Sequence, residues 1–378
     1  MRFTPFCPCL LLLFATLFAS EPSGVPTKIT VEKRPVADIT HIFDFQKVVV
    51  LEEHPDHLLA GVDQVIVDPQ TGELWVGDYR GAERIFRFSP EGAFRAVYGG
   101  SGEGPGEFIA YGDFFINKAG ELVVVGLQKM ARFHRDGRLL SEHLYQTIAD
   151  RPSLNIRQGL YHKGFYYGFG RNSAEPLAIW VIDDLFRLIK QFHPTDARAK
   201  HFNFPPVLYL TEYKDRLLIA DFFDTALWEY DARGNLLEKH LLLHSQVDFE
   251  ALKGRDPHTQ RAAFTSALAQ VVRWDIAVGF ADAVFLMHMD APKRRYVASW
   301  YHPAEKRLVE MGSHGFLRTQ AGPGSPVVFE ALVGRHQNQL IGFQWDEDNL
   351  TVMKQQFPQM NDTDKPHLFF FSPKNMKH

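Results

Sequence analysis

Four segments of the chain repeat one pattern: an aromatic or aliphatic residue, a short polar turn, then an apolar run. They are Phe88-Ser-Pro-Glu-Gly92, Phe133-His-Arg-Asp-Gly137, Ile182-Asp-Asp-Leu-Phe186 and Tyr230-Asp-Ala-Arg-Gly234, and their first residues are 45, 49 and 48 positions apart. A period of that length matches one four-stranded blade of a propeller. Aromatic residues (32 Phe, 12 Tyr and 6 Trp) add to the strand bias.

The first blade reads most clearly, over Val62 to Tyr98. Val65-Ile66-Val67-Asp68 is a short apolar strand, and Pro69-Gln70-Thr71-Gly72 supplies turn residues. Glu73 to Gly77 forms the second strand, Arg84 to Phe88 alternates as a half-buried third, and Ala93 to Tyr98 makes the fourth. Further blades follow from Asp113, from about Leu154 to Phe192, from Val207 to Leu242, from about Trp274 to Met311, and from Val327 to Phe357. The last shows three strands, and Lys47 to Glu52 can supply the fourth, which would leave no open sheet edge in the ring. The expected fold is all-β: a six-bladed β-propeller over residues 47–357, closed by the N-terminal strand. Residues 21–46 form an N-terminal segment, and residues 358–378 form a C-terminal tail in which Phe369-Phe370-Phe371 hints at docking. Val247 to Val272 reads as one helical insertion between blades four and five: Asp256 and Pro257 start it, and Phe264, Leu268, Val271 and Val272 share a face. Gly312 to Pro326 is a second long connection.

Residues 1–20 have the layout of a secretory signal peptide: Arg2, an apolar core from Leu10, then small residues, with cleavage expected near Ala19 or Ser20. The apolar run is too short to span a bilayer comfortably, and no later stretch is long enough. The mature chain is therefore expected to be secreted or periplasmic, with no transmembrane segment. Both cysteines, Cys7 and Cys9, lie in the leader, which excludes disulfides, a cysteine nucleophile and thiolate zinc ligation in the mature chain. Loss of Arg2 leaves 40 basic against 45 acidic residues, a formal charge of −5. With no basic stripe, nucleic acid is not an expected partner.

Blade one and the loop after it resemble the NHL-type repeat of six-bladed propellers. The matching residues are Val67-Asp68, Gly72, Trp75-Val76-Gly77-Asp78, Arg84-Ile85, Phe88 with Gly92, and Gly104-Pro105-Gly106-Glu107-Phe108. The match is partial in blades two and four. The resemblance implies a fold and leaves the chemistry open, because that family includes scaffolds, sensors and a few enzymes.

Motifs for chemistry are sparse. Gly99 to Gly106 lacks the Gly-Lys-Ser/Thr ending of a phosphate loop and reads as a blade-to-blade connection. Asp68, Asp78 and Asp221 each end a strand, where an Asx-turn competes with a cation site. Neither His-Glu-x-x-His nor Gly-x-Ser-x-Gly is present. Among seventeen histidines, His134, His162, His244, His288 and His336 come from different blades. Propeller lyases that cleave α-hydroxyglycine amides hold zinc with histidines from separate blades, so spacing alone does not exclude a site. No cofactor is expected; zinc or calcium is the alternative, with His288 and Asp290 as candidate ligands.

In a propeller, the connections between second and third strands share a face with the connections between blades. The expected funnel at the channel mouth carries Asp78, Arg80, Arg84, Lys129, Arg171, Phe222, Asp224, His288, Asp290, Trp345 and Asp346. The opposite face, with its short turns, should be inert. The leading reading is a module binding a small molecule, peptide or protein without chemistry of its own. The alternatives are a metal-dependent propeller lyase or hydrolase, and a structural partner in an envelope complex.

Overall fold

In a computed structural model, residues 29–33, 42–145 (save 80 and 82), 156–170, 177–194, 208–221, 226–242, 272–290, 295–313 and 331–374 (save 356, 359 and 361–363) are described. They form a six-bladed propeller. Blade one is β3 (Gln64–Val67), β4 (Leu74–Asp78), β5 (Arg84–Phe88) and β6 (Phe94–Tyr98). Blade two is β7 (Tyr111–Ile116), β8 (Leu122–Gly126), β9 (Lys129–Phe133) and β10 (Leu139–Leu144). Blade three is β11 (Ile156–His162), β12 (Phe165–Gly170), β13 (Leu177–Asp183) and β14 (Leu188–Pro194). Blade four is β15 (Leu208–Tyr213), β16 (Arg216–Asp221), β17 (Ala226–Asp231) and β18 (Leu236–Leu241). Blade five is β19 (Val272–Gly279), β20 (Val284–Asp290), β21 (Arg295–His302) and β22 (Arg307–Ser313), to which β1 (Thr30–Lys33) adds a fifth, parallel strand.

Blade six corrects one expectation. Only β23 (Ala331–His336) and β24 (Gln339–Gln344) come from the expected range. The next segment is a helix, α1 (Glu347–Lys354), because the Asp346 carboxylate caps the Asn349 N–H at 2.9 Å. The third strand is β25 (His367–Pro373), which lies in the segment expected to be a tail. The fourth is β2 (Phe43–Val50), paired antiparallel with β25, so the N-terminal strand does close the ring. The proposed insertion over 247–272 lies almost wholly outside the described residues, as does the Gly312–Pro326 connection beyond Ser313.

Packing explains why the ring holds. Apolar residues form six clusters, one at each interface between adjacent blades. Second strands such as Leu74–Asp78 and Leu122–Gly126 are buried along their whole length, since both faces meet a neighbouring blade.

The four repeated turns join third to fourth strands with one geometry. The N–H groups of Gly92, Gly137, Phe186 and Gly234 donate to the carbonyls of Ser89, His134, Asp183 and Asp231, at 2.9–3.0 Å. All four acceptor residues also take N–H groups on their side chains, and all four donors have positive φ. Gly92 and Gly137 share a φ of 96°, but a Cβ at Gly92 would lie 2.0 Å from the Val50 carbonyl oxygen, whereas none within 4 Å surrounds Gly137. Gly137→Ala is expected to cost about 1 kcal/mol of backbone strain. Gly92→Ala should cost at least about twice that, because the closing strand must shift. Equal losses in urea unfolding would contradict the contact.

Candidate functional site

The innermost strands β3, β7, β11, β15, β19 and β23 line a central channel with a cavity of about 520 Å³. Strands approach closely where side chains are absent: a Cβ on Gly279 would lie 1.7 Å from the Glu212 carbonyl oxygen. Most of the wall is apolar, including Val65, Phe114, Leu160, Leu210 and Val278. Polar groups gather at the two ends.

At one end stand Asp63, Gln64 and Asp113. The Asp113 carboxylate is buried and accepts from Gln64 Nε2 at 2.7 Å, the Phe114 N–H at 2.8 Å and the Tyr166 hydroxyl at 2.8 Å. It thus ties blades one, two and three together. Burial pushes its carboxyl up to about 6, against the opposing pull of these hydrogen bonds. The same burial raises the Tyr145 and Tyr166 hydroxyls well above their usual range. Gln64 spends its amide nitrogen on Asp113 and on the Phe114 carbonyl (3.3 Å), while its Oε1 is buried with no hydrogen-bond partner among the described residues.

At the other end, Arg335 of blade six bonds to the Gly279 carbonyl and to Glu212 Oε1, and His162 Nδ1 meets Glu212 Oε2 at 2.5 Å. The hydrogen bond from His162, and then the Arg335 charge, hold the Glu212 carboxyl down to about 2. Three blades are thereby joined to the glycine of a fourth, on the face expected to be inert.

The residues expected at the mouth behave differently. Asp78 is buried and accepts the N–H groups of Ala60 (2.7 Å), Gly61 (3.3 Å) and Gly81 (2.8 Å), fixing its loop. Tyr79 N–H donates to Asp63 Oδ2 at 2.9 Å, so this loop stands at the Asp63 end of the channel. Arg84 faces Asp78 in the β4–β5 register. Lys129 Nζ holds the glycine-rich loop through the Gly104 carbonyl (3.0 Å) and pairs with Glu142 (2.7 Å). His288 is buried in β20 and Asp290 ends that strand. Asp346 caps α1, and Trp345 packs on the apolar cluster between blades six and one. Arg80, Arg171, Phe222 and Asp224 lie outside the described residues. None of the described mouth residues is part of the cavity wall. The residues that are, Gln64 and Asp113, carry one sequence signal: each is a polar residue near the start of an otherwise apolar innermost strand.

A sequence-family profile described as a 6-bladed β-propeller matches residues 25–252. The chain belongs to this family of six-bladed β-propellers. No curated protein matches it by sequence. Among solved structures, this propeller is similar to a "putative exported protein" of Bacteroides fragilis, at 13% identity and a TM-score of 0.65, over 92% of this chain and 100% of that one. It is also similar to a Bacteroides vulgatus protein, at 10% identity and a TM-score of 0.59, over 88% of this chain and 98% of the other. At such identities the likeness is one of fold. Among the described residues, no helix is long and apolar enough to cross a membrane.

Proposed function

We propose that this protein is an exported propeller that binds a small ligand inside its central channel, through a hydrogen-bond donor such as an ammonium or hydroxyl group. The buried, unpartnered Gln64 Oε1 beside the Asp113 carboxylate carries this reading. A buried acceptor left without a donor is costly, and a ligand donor removes that cost. The cavity of about 520 Å³ is in the size range of small-molecule sites, and its apolar wall with few polar groups fits a ligand with an apolar body. Export is supported by the leader-like residues 1–20, and the Bacteroides fragilis protein of similar fold carries the description "putative exported protein".

The test is a thermal-shift and calorimetric screen of the protein against primary amines, polyols, short peptides and oligosaccharides. A binder is expected whose affinity falls at least tenfold in Gln64→Leu, which removes the acceptor and keeps the volume. Absence of any binder across these classes, or binding indifferent to Gln64→Leu, would sink the reading. Chemical conversion of a bound ligand would move the assignment to a propeller enzyme.

A further inference from the structure

A second constellation lies far from the channel wall, at the outer rim between blades four and five. Glu229 on β17 and Glu238 on β18 stand directly opposite each other in the strand register, and His240 is two residues beyond Glu238. Their inner ligand atoms converge: His240 Nε2 is 3.0 Å from Glu229 Oε2 and 3.8 Å from Glu238 Oε2, and all three atoms lie within 4.8 Å of one another. Glu229 and His240 are each 1% exposed. The outer carboxylate oxygens are held from behind, Glu229 Oε1 by Arg216 and Glu238 Oε1 by Lys306 Nζ at 2.7 Å.

Two carboxylates facing each other across a strand pair repel, and burial sharpens that repulsion. Within the protein, a His240 Nε2–H can serve the inner oxygen of Glu229. That leaves His240 Nδ1 buried with no hydrogen-bond partner among the described residues. The Tyr301 hydroxyl, from β21 of blade five, is in the same condition: the residue is fully buried, its Oη has no partner, and its ring centre is 5.3 Å from that of His240. Burial, and then the charges of Glu229 and Glu238, push this hydroxyl well above its usual range.

We propose that Glu229, Glu238 and His240 form a site for a divalent first-row transition ion, beside the buried Tyr301 ring of the neighbouring blade. Ligand atoms of a tetrahedral zinc ion with bonds of about 2.1 Å are about 3.4 Å apart, and 3.0 and 3.8 Å straddle that value. One imidazole and two carboxylates suit such an ion, and Arg216 and Lys306 are the hydrogen-bonded outer partners that ligating carboxylates usually have. Binding requires His240 to carry its proton on Nδ1, leaving Nε2 free for the ion; Nδ1 has no partner among the described residues in either tautomer, so the converging ligand atoms carry the proposal. Tyr301 and Lys306 both belong to blade five, so an ion here clamps that blade to blade four.

The test uses the untagged full chain, stripped with chelator, and zinc ions alone as the probe. Calorimetry and intact-protein mass spectrometry are expected to show one zinc per chain, with a melting temperature several degrees higher in excess zinc. Cobalt in the same site should give the strong visible absorption of a four-coordinate centre. Glu238→Gln alters the part-exposed ligand and is expected to fold, with zinc affinity reduced at least tenfold; His240→Gln should abolish binding. Gln64→Leu is expected to leave zinc binding unchanged, which separates this site from the channel. Failure of the wild type to bind zinc stoichiometrically, or equal binding by wild type and Glu238→Gln, would overturn the proposal and leave a histidine–glutamate hydrogen bond in its place.

Discussion

A chain ended after Asp364 is expected to lose its cooperative unfolding transition altogether. The truncation removes β25, whose Leu368, Phe369, Phe370 and Phe371 are essentially fully buried. Their faces alternate: Leu368 and Phe370 pack in the cluster toward blade one, Phe369 and Phe371 in the cluster toward blade five. Four such side chains contribute on the order of 10 kcal/mol of burial, which is comparable to the whole stability of a domain. The loss also strips β2 of its partner and exposes the edge of β24. Circular dichroism and denaturant titration of the truncated chain check this; a single sharp transition near the wild-type midpoint would mean that β25 is dispensable. Phe369→Ala is the graded version, with an expected cost of about 3–5 kcal/mol.

The stability of the full chain is expected to fall by about 2 kcal/mol as pH rises from 4 to 7, through Asp113 alone. Its carboxyl stands near 6 in the folded protein against 3.8 as the ordinary value, so the folded state holds a proton that the unfolded chain has released. The contribution is fully present below about pH 4 and is lost as pH passes through 6. The groups facing Asp113 are Gln64, Tyr166 and Tyr145, and the two hydroxyls, raised well above their usual range, stay neutral in this window. Glu212 acts in the opposite sense and in a lower window: its depressed carboxyl stabilises the fold above about pH 4.5, and that support is lost as pH falls toward 2. Denaturant titrations of wild type and Asp113→Asn at several pH values isolate the effect. At pH 7 the variant is less stable by about 1–3 kcal/mol, because its amide places donors against donors. At pH 4 the gap should be wider by about 2 kcal/mol, and a gap of constant size would refute the assignment.

The propeller was legible because its first five blades are local. Each keeps its four strands within some forty residues, and the turns Ser89–Gly92, His134–Gly137, Asp183–Phe186 and Asp231–Gly234 recur in place. Blade six was not legible to the same degree. β25 is buried on both faces and shows no alternation, so Phe369-Phe370-Phe371 carries no strand period. The helix that intervenes has its signal in Asp346, an N-cap followed by acidic residues Glu347 and Asp348. Asp346 was read instead as a ligand residue, and the carboxylate of Asp78 is likewise occupied by backbone N–H groups. A strand-ending aspartate looks the same in sequence whether it meets a ligand or its own loop. Gln64 and Asp113 escaped notice for the converse reason: the alternation of an innermost strand does not reveal which side faces the channel. Glu229, Glu238 and His240 meet through strand register, and Tyr301 joins them from another blade, a relation that no local spacing encodes.

The pairing of β2 and β1 also orders events in time. Phe43 finds its partner in Pro373, 330 positions later, and Thr30 finds Arg307 after 277. During synthesis or passage across a membrane, blades one to four can assemble as they emerge, whereas these two early strands must wait for the last quarter of the chain. Until then their apolar residues, Val49 and Phe43 among them, remain unsheltered. Such long loops close slowly, so refolding from denaturant should have its slowest structural phase in the joining of the two ends. A ring that cannot close until β25 arrives therefore stays open through most of translation, whatever the earlier blades have already built.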